Sequence, residues 1–164
     1  MPPASPFTLR SATPDDVPLI LECIRGLAEY ERLPHEVVAT EELLRESLFG
    51  ARPAAEVVLA HEGDEPAGFA LFFHNYSTFL GRPGLYLEDL FVFPRFRGRG
   101  LGRLLLAHLA TLAVQRGCGR FEWAVLDWNV DAIGFYEALG AKAMSDWTVY
   151  RLTGDALQRL AAEG

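Results

Sequence analysis

Two short stretches of the sequence combine residue types that could do chemistry, and the first is rich in arginine and glycine. Residues 95–103 read RFRGRGLGR, which places four arginines and three glycines in a chain whose formal net charge is -7. Glycines ahead of a helix let an anion approach the main chain, and a helix N-terminus presents unpaired N–H groups and the positive end of its dipole. The stretch therefore predicts a phosphate cradle, and the alternative is an ordinary solvated turn.

Two known phosphate-binding loops do not fit this stretch. The dinucleotide fingerprint G-x-G-x-x-G fails because Arg103 stands where the glycine after Gly98 and Gly100 is required. The loop G-x-x-x-x-G-K-[ST] fails because the stretch contains no lysine. The spacing therefore points away from NAD and ATP as ligands.

The second stretch is a pair of adjacent acids, Glu88 and Asp89, within the apolar residues 85–93. Apolar side chains occur there at both odd and even positions, which is typical of a central strand covered on both faces. Carboxylates in such a strand are costly unless they are paired, hydrated or close to a site. The pair therefore indicates a candidate site on this strand. The alternative is two structural carboxylates bonded to neighbouring arginines or amides.

Other catalytic or metal-binding patterns are absent from the sequence. There is no G-x-S-x-G motif, and Cys23 and Cys118 are far apart with no C-x-x-C, so we expect buried thiols. The four histidines show no H-E-x-x-H or similar spacing, so no metal is expected. Direct attack by a substrate nucleophile is therefore a simpler prediction than a covalent enzyme intermediate.

Periodicity and turn residues predict the elements that would position these residues. The predicted strands, rich in β-forming residues, are residues 7–10, 55–61, 67–74, 85–93, 121–126 and 147–152. The predicted helices are residues 13–30, 40–50, one that begins near Leu101, and residues 131–139. The glycines of residues 95–103 thus lie between a strand and a helix. The pattern indicates an α+β fold, with a mixed, mostly antiparallel central sheet and helices packed on both faces.

The composition of the 164-residue chain, 50% hydrophobic and 12% aromatic, predicts a single globular domain spanning residues 1–164. The longest apolar run is too short for a membrane span, and the N-terminus lacks a secretory pattern. We therefore expect a soluble, cytoplasmic protein with no membrane partner. The net charge of -7 argues against nucleic acid and favours small cationic partners.

Several segments carry a resemblance to a known family. Residues 97–102, RGRGLG, match the R/Q-x-x-G-x-G/A motif of the GNAT superfamily of acyl-CoA-dependent N-acetyltransferases, and they follow a hydrophobic strand as in that family. LYLEDLFVFPRFRGRGLG, AVLDWN with FYEALGA, and LAEYERL are similar to the diamine and thialysine acetyltransferase branch, so the likeness covers nearly the whole chain. The resemblance implies a GNAT-like fold, acetyl-CoA as the acetyl donor, a small-molecule amine as the acceptor, and a homodimer.

The resemblance also implies which residues bind the cofactor. Backbone amides of the glycine-rich loop would hold the pyrophosphate of coenzyme A, and the strand residues after Asp89 would contact its pantetheine arm. The residues concerned are Leu90, Phe91, Val92, Arg97, Gly98, Arg99, Gly100, Leu101, Gly102, Arg103 and Asn129. Four clustered arginines in an acidic chain also fit a local anion site for the phosphates. From its position alone, Asn129 is first of all a helix cap.

The resemblance further implies the residues that act on the amine. Glu88 would take the proton from the amine through water, and Tyr136 would donate a proton to the leaving thiolate. The substrate-binding residues would be Tyr30, Glu31, Phe79, Glu88 and Asp89. Without the resemblance, a buried core position is the simpler interpretation of Tyr136.

Three functions remain open from the sequence. The first is an N-acetyltransferase that transfers an acetyl group from acetyl-CoA to a primary amine of a small cationic substrate. The others are a catalytically silent acyl-CoA-binding sensor module and a peptide or protein N-acetyltransferase. Glu88 and Tyr136 together favour an enzyme, since a sensor needs neither an acid nor a base. Ser77 and Phe79 stand where the polyamine branch tends to have an acidic residue and a tryptophan, which favours a lysine-like amine.

Overall fold

The structure, a computed structural model, describes residues 3–164, and its contacts divide the chain into two compact units, Met1–Ala124 and Val125–Gly164. The strands, all in the first unit, are β1 (Phe7–Ser11), β2 (Glu56–Glu62), β3 (Glu65–Ser77), β4 (Arg82–Val92) and β5 (Phe121–Trp123). The helices of this unit are α1 (Val17–Tyr30), α2 (Glu41–Phe49) and α3 (Leu101–Gln115). No helix within residues 3–164 is long and apolar enough to cross a membrane. The single domain expected from composition stays a prediction.

The sheet follows the order of the chain, β1-β2-β3-β4-β5. Strands β1 to β4 pair antiparallel with their neighbours, whereas β5 pairs parallel with β4. The predicted α+β fold with a mixed, mostly antiparallel sheet is therefore confirmed. Strand β4 lies between β3 and β5, in agreement with the apolar side chains on both of its faces.

Helix α1 begins after a short 3-10 turn, Pro14–Asp16, where the sequence predicts a helix start. The Asp16 carboxylate accepts a hydrogen bond from the main-chain N–H of Thr13 at 2.8 Å and two from the Arg10 guanidinium at 2.7 and 2.8 Å. The hydrogen bond from Arg10, with a further contribution from Thr13, lowers the pKa of Asp16 to about 2. These contacts join the end of β1 to the start of α1.

One face of the sheet packs against α1 and α2. The buried apolar side chains of this cluster are Val17, Ile20, Leu21, Cys23, Leu44, Leu48, Val57, Leu59, Phe69, Leu71 and Phe91. Gly26 of α1 lies against the ring of Phe91, and a Cβ atom at this glycine would lie 2.5 Å from Cζ of the ring. The missing side chain therefore lets α1 approach β4 closely.

Helix α3 packs against the opposite face. Its fully buried leucines, Leu101, Leu105 and Leu109, lie outside the cluster formed with α1 and α2, and the helix contacts β3 and β4. Gly102 faces Leu90, whose side chain points away from that of Phe91 because successive strand residues alternate between faces. Helices therefore cover both faces of the sheet, as predicted.

A β-bulge interrupts the pairing of β3 with β4 at Glu88. Leu71 pairs with Asp89 and Phe72 pairs with Leu87, so Glu88 has no residue opposite it. A bulge bends a strand and re-aims its side chains, and bulges are over-represented beside active sites. Glu88 and Asp89 therefore depart from the simple alternation that an uninterrupted strand would give.

The second unit contains two helices, α4 (Val130–Ala138) and α5 (Gly154–Ala161). Helix α4 agrees with its prediction to within one residue at each end, whereas two strand predictions nearby are wrong. β5 ends at Trp123 instead of residue 126, and residues 147–152 form no strand with any described part of the chain. Alternating β-forming residues favour a strand, but a strand exists only where a neighbour completes its hydrogen bonds. Helix α5, which follows Thr153, was not predicted.

The two cysteines are free thiols in different settings. Cys23 is fully buried in α1, and this burial, with the nearby charge of Glu22, raises its pKa to about 12. Cys118 follows α3 and is partly exposed. The expectation of buried thiols is thus confirmed for Cys23 and corrected for Cys118.

Candidate active site

The glycine-rich loop, residues 95–103, connects β4 to α3 and turns through two left-handed residues. Gly98 has φ of 73° and Gly100 has φ of 83°, a region that favours glycine. A Cβ atom at either position would meet no protein atom within 4 Å, so a ligand can approach this main chain without a clash. Gly100 is the N-cap of α3, and it makes no side-chain cap. The N–H groups of Leu101, Gly102 and Arg103 lack intrahelical acceptors, and their position favours an anion.

The arginines of the loop differ in their contacts. Arg95 forms an ion pair with Glu65, and Arg99 forms one with Glu62 at 2.6 Å. Both acids flank the turn between β2 and β3, so the two pairs fasten the loop to that hairpin. Arg103 makes no ion pair or hydrogen bond with a residue that the structure describes. Two of the four clustered arginines are therefore already paired with carboxylates distant in sequence.

Arg97 ties the loop to the end of α1. Its Nε donates a hydrogen bond to the carbonyl oxygen of Val92 at 2.9 Å. Its guanidinium lies 5.2 Å from the centre of the Tyr30 ring and 5.5 Å from that of the Phe91 ring. Such cation–π contacts stabilise by about 0.5–1 kcal/mol at exposed sites. The side chain therefore helps to hold the last turn of α1 against the start of the loop.

Three carboxylates, Glu31, Glu88 and Asp89, influence one another where α1 ends beside the middle of β4. Burial, with the added negative charges of Glu88 and Glu31, raises the pKa of Asp89 to about 7. Burial and the charge of Glu88 also raise the pKa of Glu31, and burial with the charges of Glu88 and Glu122 raises that of Tyr86. Asp89 is thus about half protonated near neutral pH. The cluster can attract a cation and can also exchange a proton.

The first unit holds most of the predicted site residues, and it arranges them along one strand. Residues 90–92 end β4, the loop follows, and Tyr30 adjoins both through Arg97. Phe79 lies elsewhere: it is 99% exposed on the turn between β3 and β4, at the opposite end of β4 from the loop. Within this unit the structure does not place Phe79 with the carboxylates, and its role stays a prediction.

The two remaining predicted site residues, Asn129 and Tyr136, lie in the second unit. Oδ1 of Asn129 accepts a hydrogen bond from the main-chain N–H of Ala132 at 3.4 Å, so the predicted helix cap is confirmed. Tyr136 lies within α4, with its ring 5.7 Å from that of Phe135. The cofactor contact of Asn129 and the acid role of Tyr136 stay predictions.

A cavity beside α1 adds residues that sequence reasoning missed. It has a volume of about 600 Å³ and is lined by one face of α1, the first residue of α2 and the segment around the end of β4. Its charged lining from α1 consists of Glu22, Arg25 and Glu29. A row of charged residues on a helix is typical of a face exposed to solvent, so nothing in the sequence marked these three residues as functional. Gly26 did carry one, because a glycine inside a helix costs about 1 kcal/mol and often marks close packing.

The sheet order, the bulged central strand and the glycine-rich loop before α3 give an α+β fold of the kind found in acetyltransferases. The chain belongs to the acetyltransferase (GNAT) family, whose model matches residues 24–141. An integron cassette protein from the mobile metagenome of V. cholerae has a similar structure, with a TM-score of 0.80, 27% identity, and coverage of 96% of this chain and 99% of that chain. An aminoglycoside acetyltransferase from an uncultured soil metagenomic sample shares the fold, with a TM-score of 0.74, 17% identity, and coverage of 90% and 97%.

Relatives of known activity match over nearly the whole chain. The L-ornithine N5-acetyltransferase of Arabidopsis thaliana is 39% identical, and the match covers 93% of this chain and 86% of that protein. The thialysine N-epsilon-acetyltransferase of Mus musculus is 38% identical, with coverage of 93% and 96%. The enzyme of that name from Caenorhabditis elegans is 39% identical, with coverage of 96% and 98%. The predicted family and enzyme class, an acetyltransferase, are therefore confirmed.

Proposed function

We propose that this protein transfers the acetyl group of acetyl-CoA to a primary amine of a small cationic substrate, a lysine-like amino acid. The observation that carries the proposal is the three-carboxylate cluster at the bulge of β4, on the strand that leads into the glycine-rich loop. Glu88 and Val92 are four residues apart on this strand, about 13 Å. One strand thus supports a site that favours an anion and a site that favours a cation.

The loop end of this strand fits a phosphate-containing donor. The main-chain N–H groups at the start of α3 and the side chain of Arg103 are the groups that would hold the pyrophosphate. The remaining proposed cofactor contacts are Leu90, Phe91, Val92, Arg97, Gly98, Arg99, Gly100 and Asn129. Bound acetyl-CoA would supply an activated acyl group, and the task of the chain is to orient it beside the amine.

The carboxylate end of the strand fits a protonated amine. A lysine-like amine has a pKa near 10.4, so only about 0.04% is neutral at pH 7, and removing its proton there costs roughly 5 kcal/mol. Glu31 and Asp89 would attract the ammonium group, and Glu88 would accept its proton through water. Tyr136 would donate a proton to the leaving thiolate. These roles divide attraction, proton removal and proton donation among different side chains.

The choice of a lysine-like substrate rests on the relatives and on the charge of the site. Relatives at 38–39% identity are acetyltransferases for L-ornithine and thialysine, both small amino acids with a side-chain amine. The resemblance adds that the polyamine branch tends to have an acidic residue and a tryptophan where this chain has Ser77 and Phe79, and the acidic cluster attracts an ammonium group.

The test measures release of coenzyme A from acetyl-CoA with thialysine, ornithine, lysine, spermidine and a peptide amine. We expect a higher kcat/KM for the amino acids than for spermidine. Spermidine preferred by tenfold or more, about 1.4 kcal/mol, would overturn the substrate and leave the reaction intact. Binding of acetyl-CoA with no turnover of any amine would contradict the proposed reaction and support the silent sensor module. Turnover of the peptide amine alone would support a peptide N-acetyltransferase.

Two variants test the assigned roles in the same assay. Tyr136→Phe should lower kcat more than it raises KM for acetyl-CoA, because proton donation to the thiolate matters in the transition state. Tyr76→Phe is its matched control, since Tyr76 is 61% exposed and has no assigned role. Glu88→Gln should shift the pH–rate profile to higher pH, because the base is lost. Parental kinetics of both site variants across the pH range would exclude the two assignments.

We further propose a homodimer in the cytoplasm. Trp147, Val149 and Tyr150 are 75%, 89% and 93% exposed in a segment of β-forming residues. Exposed apolar side chains on such a segment favour association with another chain.

The proposed location in the cytoplasm agrees with the two free cysteines, which suit a reducing compartment. Fractionation of the native source for acetyltransferase activity would test the location.

A further inference from the structure

The cavity beside α1 lies next to the proposed amine-binding carboxylates. Phe91 lines the cavity, and Asp89 occupies the same face of β4 two residues earlier, about 6.8 Å along the strand. Tyr30 also lines the cavity, and Glu31 follows it directly. A volume of about 600 Å³ is within the range of pockets for small organic ligands. A substrate whose amine reaches the carboxylates therefore has room for its other end in this cavity.

Charges of both signs line this cavity. Glu22, Arg25 and Glu29 are three and four residues apart, which places them on one face of α1. Glu41, the first residue of α2, adds another carboxylate. A lining that holds acids beside a guanidinium complements a group carrying both a carboxylate and an ammonium.

Arg25 is the cation of this lining that is available to a ligand. It makes no ion pair or hydrogen bond with any residue within the described range 3–164. Arg97, the other arginine of the lining, already donates to Val92 and stacks on two aromatic rings. A guanidinium binds a carboxylate through two parallel hydrogen bonds, which gives orientation as well as attraction. Arg25 is therefore positioned to recognise a carboxylate in the cavity.

We propose that the cavity binds the α-amino acid end of the substrate, with Arg25 binding its carboxylate and Glu29 its α-ammonium group. This assignment rests on the proposed acetyltransferase function and names the side chains that would select an α-amino acid over a diamine. The side chains of ornithine and lysine differ by one methylene, and both span a distance of the same order as the separation of Phe91 from Asp89, roughly 6.8 Å. A diamine that lacks the carboxylate leaves Arg25 without a partner and leaves the charge of its second ammonium group unbalanced beside this guanidinium.

The experiment compares pairs of substrates that differ only in the carboxylate, ornithine with putrescine and lysine with cadaverine. We expect the parent enzyme to favour each amino acid by at least tenfold in kcat/KM. Arg25→Gln should reduce this ratio at least tenfold, mainly through KM for the amino acid and with little change in KM for acetyl-CoA. Arg25→Lys should restore part of the ratio, because it keeps the charge but loses the paired hydrogen bonds.

Arg45→Gln is the matched control, because Arg45 is an exposed arginine of α2 outside the cavity lining. This control should keep the parental ratio. Equal use of amino acids and diamines by the parent, or an unchanged ratio in Arg25→Gln, would overturn the assignment while the acetyltransferase reaction stands. Failure of every amine in the panel would instead contradict the proposed function. If Arg25→Gln does not fold, the assignment is tested by the ratio of kcat/KM for amino acid to that for diamine in the parent and in Arg25→Lys.

Discussion

Asp89 keeps its proton to a higher pH in the folded protein than an ordinary aspartate does. Burial, followed by the charges of Glu88 and Glu31, raises its pKa from 3.8 to about 7. Between these two values the unfolded carboxyl is ionised while the folded one still holds its proton. Folding therefore becomes less favourable as the pH rises from about 4 to about 7, and the full penalty is present above pH 7. A difference of about three pKa units corresponds to roughly 4 kcal/mol.

Replacing Asp89 should therefore stabilise the fold in alkaline solution. Asp89→Asn is expected to raise the free energy of unfolding at pH 8 by about 1 kcal/mol or more, because it removes a buried charge beside two like charges. The gain should shrink as the pH falls and disappear near pH 4. Urea denaturation at pH 4, 6 and 8 measures the trend.

The control for this experiment is Asp64→Asn, which alters an exposed aspartate in the turn between β2 and β3. It should show no comparable dependence on pH. A loss of stability in Asp89→Asn at pH 8 would mean that the carboxylates do not repel one another as described. The parental residue is understandable if the acetyltransferase needs its charge, since functional sites often retain destabilising groups.

The sequence indicates candidate-site residues where a residue type is unfavourable in the element that is predicted around it. Two acids in an apolar strand and glycines before a helix are both unfavourable without a purpose, so the sequence already indicated Glu88, Asp89 and the loop as candidates, and their roles stay predictions. The ion pairs of Arg95 and Arg99 could not be found, because Glu65 and Glu62 approach them only once β2 and β3 have paired. Arg25 was missed for a different reason, since an exposed arginine on a helix is common.

At the scale of elements, the contact between α1 and β4 depends on Gly26. Alanine normally stabilises a helix by about 1 kcal/mol relative to glycine. At this position its Cβ would lie 2.5 Å from Cζ and 2.7 Å from Cε1 of Phe91, a ring that is only 5% exposed. Overpacking of this kind typically costs about 1–3 kcal/mol. Gly26→Ala should therefore lower the free energy of unfolding, as measured by denaturant titration.

Gly134 in α4 provides the matched comparison. A Cβ atom there would meet no atom within 4 Å, so Gly134→Ala should stabilise the protein by up to about 1 kcal/mol. We expect the two substitutions to change the free energy of unfolding in opposite directions, so that the two variants differ by at least about 1 kcal/mol. Equal stabilisation by both would show that α1 can move away from β4 without loss.

Elements that are marked by local sequence signals agree with the structure. Helix α1 has a capped start and an apolar face, and β2, β3 and β4 are joined by short turns, so local signals located them all. Residues 147–152 show the limit of such signals, because their alternating pattern identifies a strand-forming segment but does not supply its neighbour. The bulge at Glu88 was equally hidden, since it arises from the register between two strands.

At the scale of the whole molecule, the exposed apolar segment around Val149 predicts self-association. Light scattering should give twice the chain mass at concentrations where the enzyme is active. Val149→Glu should weaken the dimer, because it introduces a charge into the proposed contact. Val114→Glu in α3 is the control, since Val114 is also exposed, at 79%, and lies in the first unit. A monomeric parent would remove the homodimer from the proposal.

The contrast between the two cysteines has a practical consequence for spectroscopy. Thiol reagents attack the thiolate, and Cys23 has a pKa of about 12 and is closed off from solvent, so it stays unreactive at pH 8. Cys118 is the partly exposed thiol of the pair. A maleimide dye or spin label will therefore attach at one position of the unmodified chain. That position lies between α3 and β5, where a label can test the proposed homodimer by the distance between two copies, without any engineered cysteine.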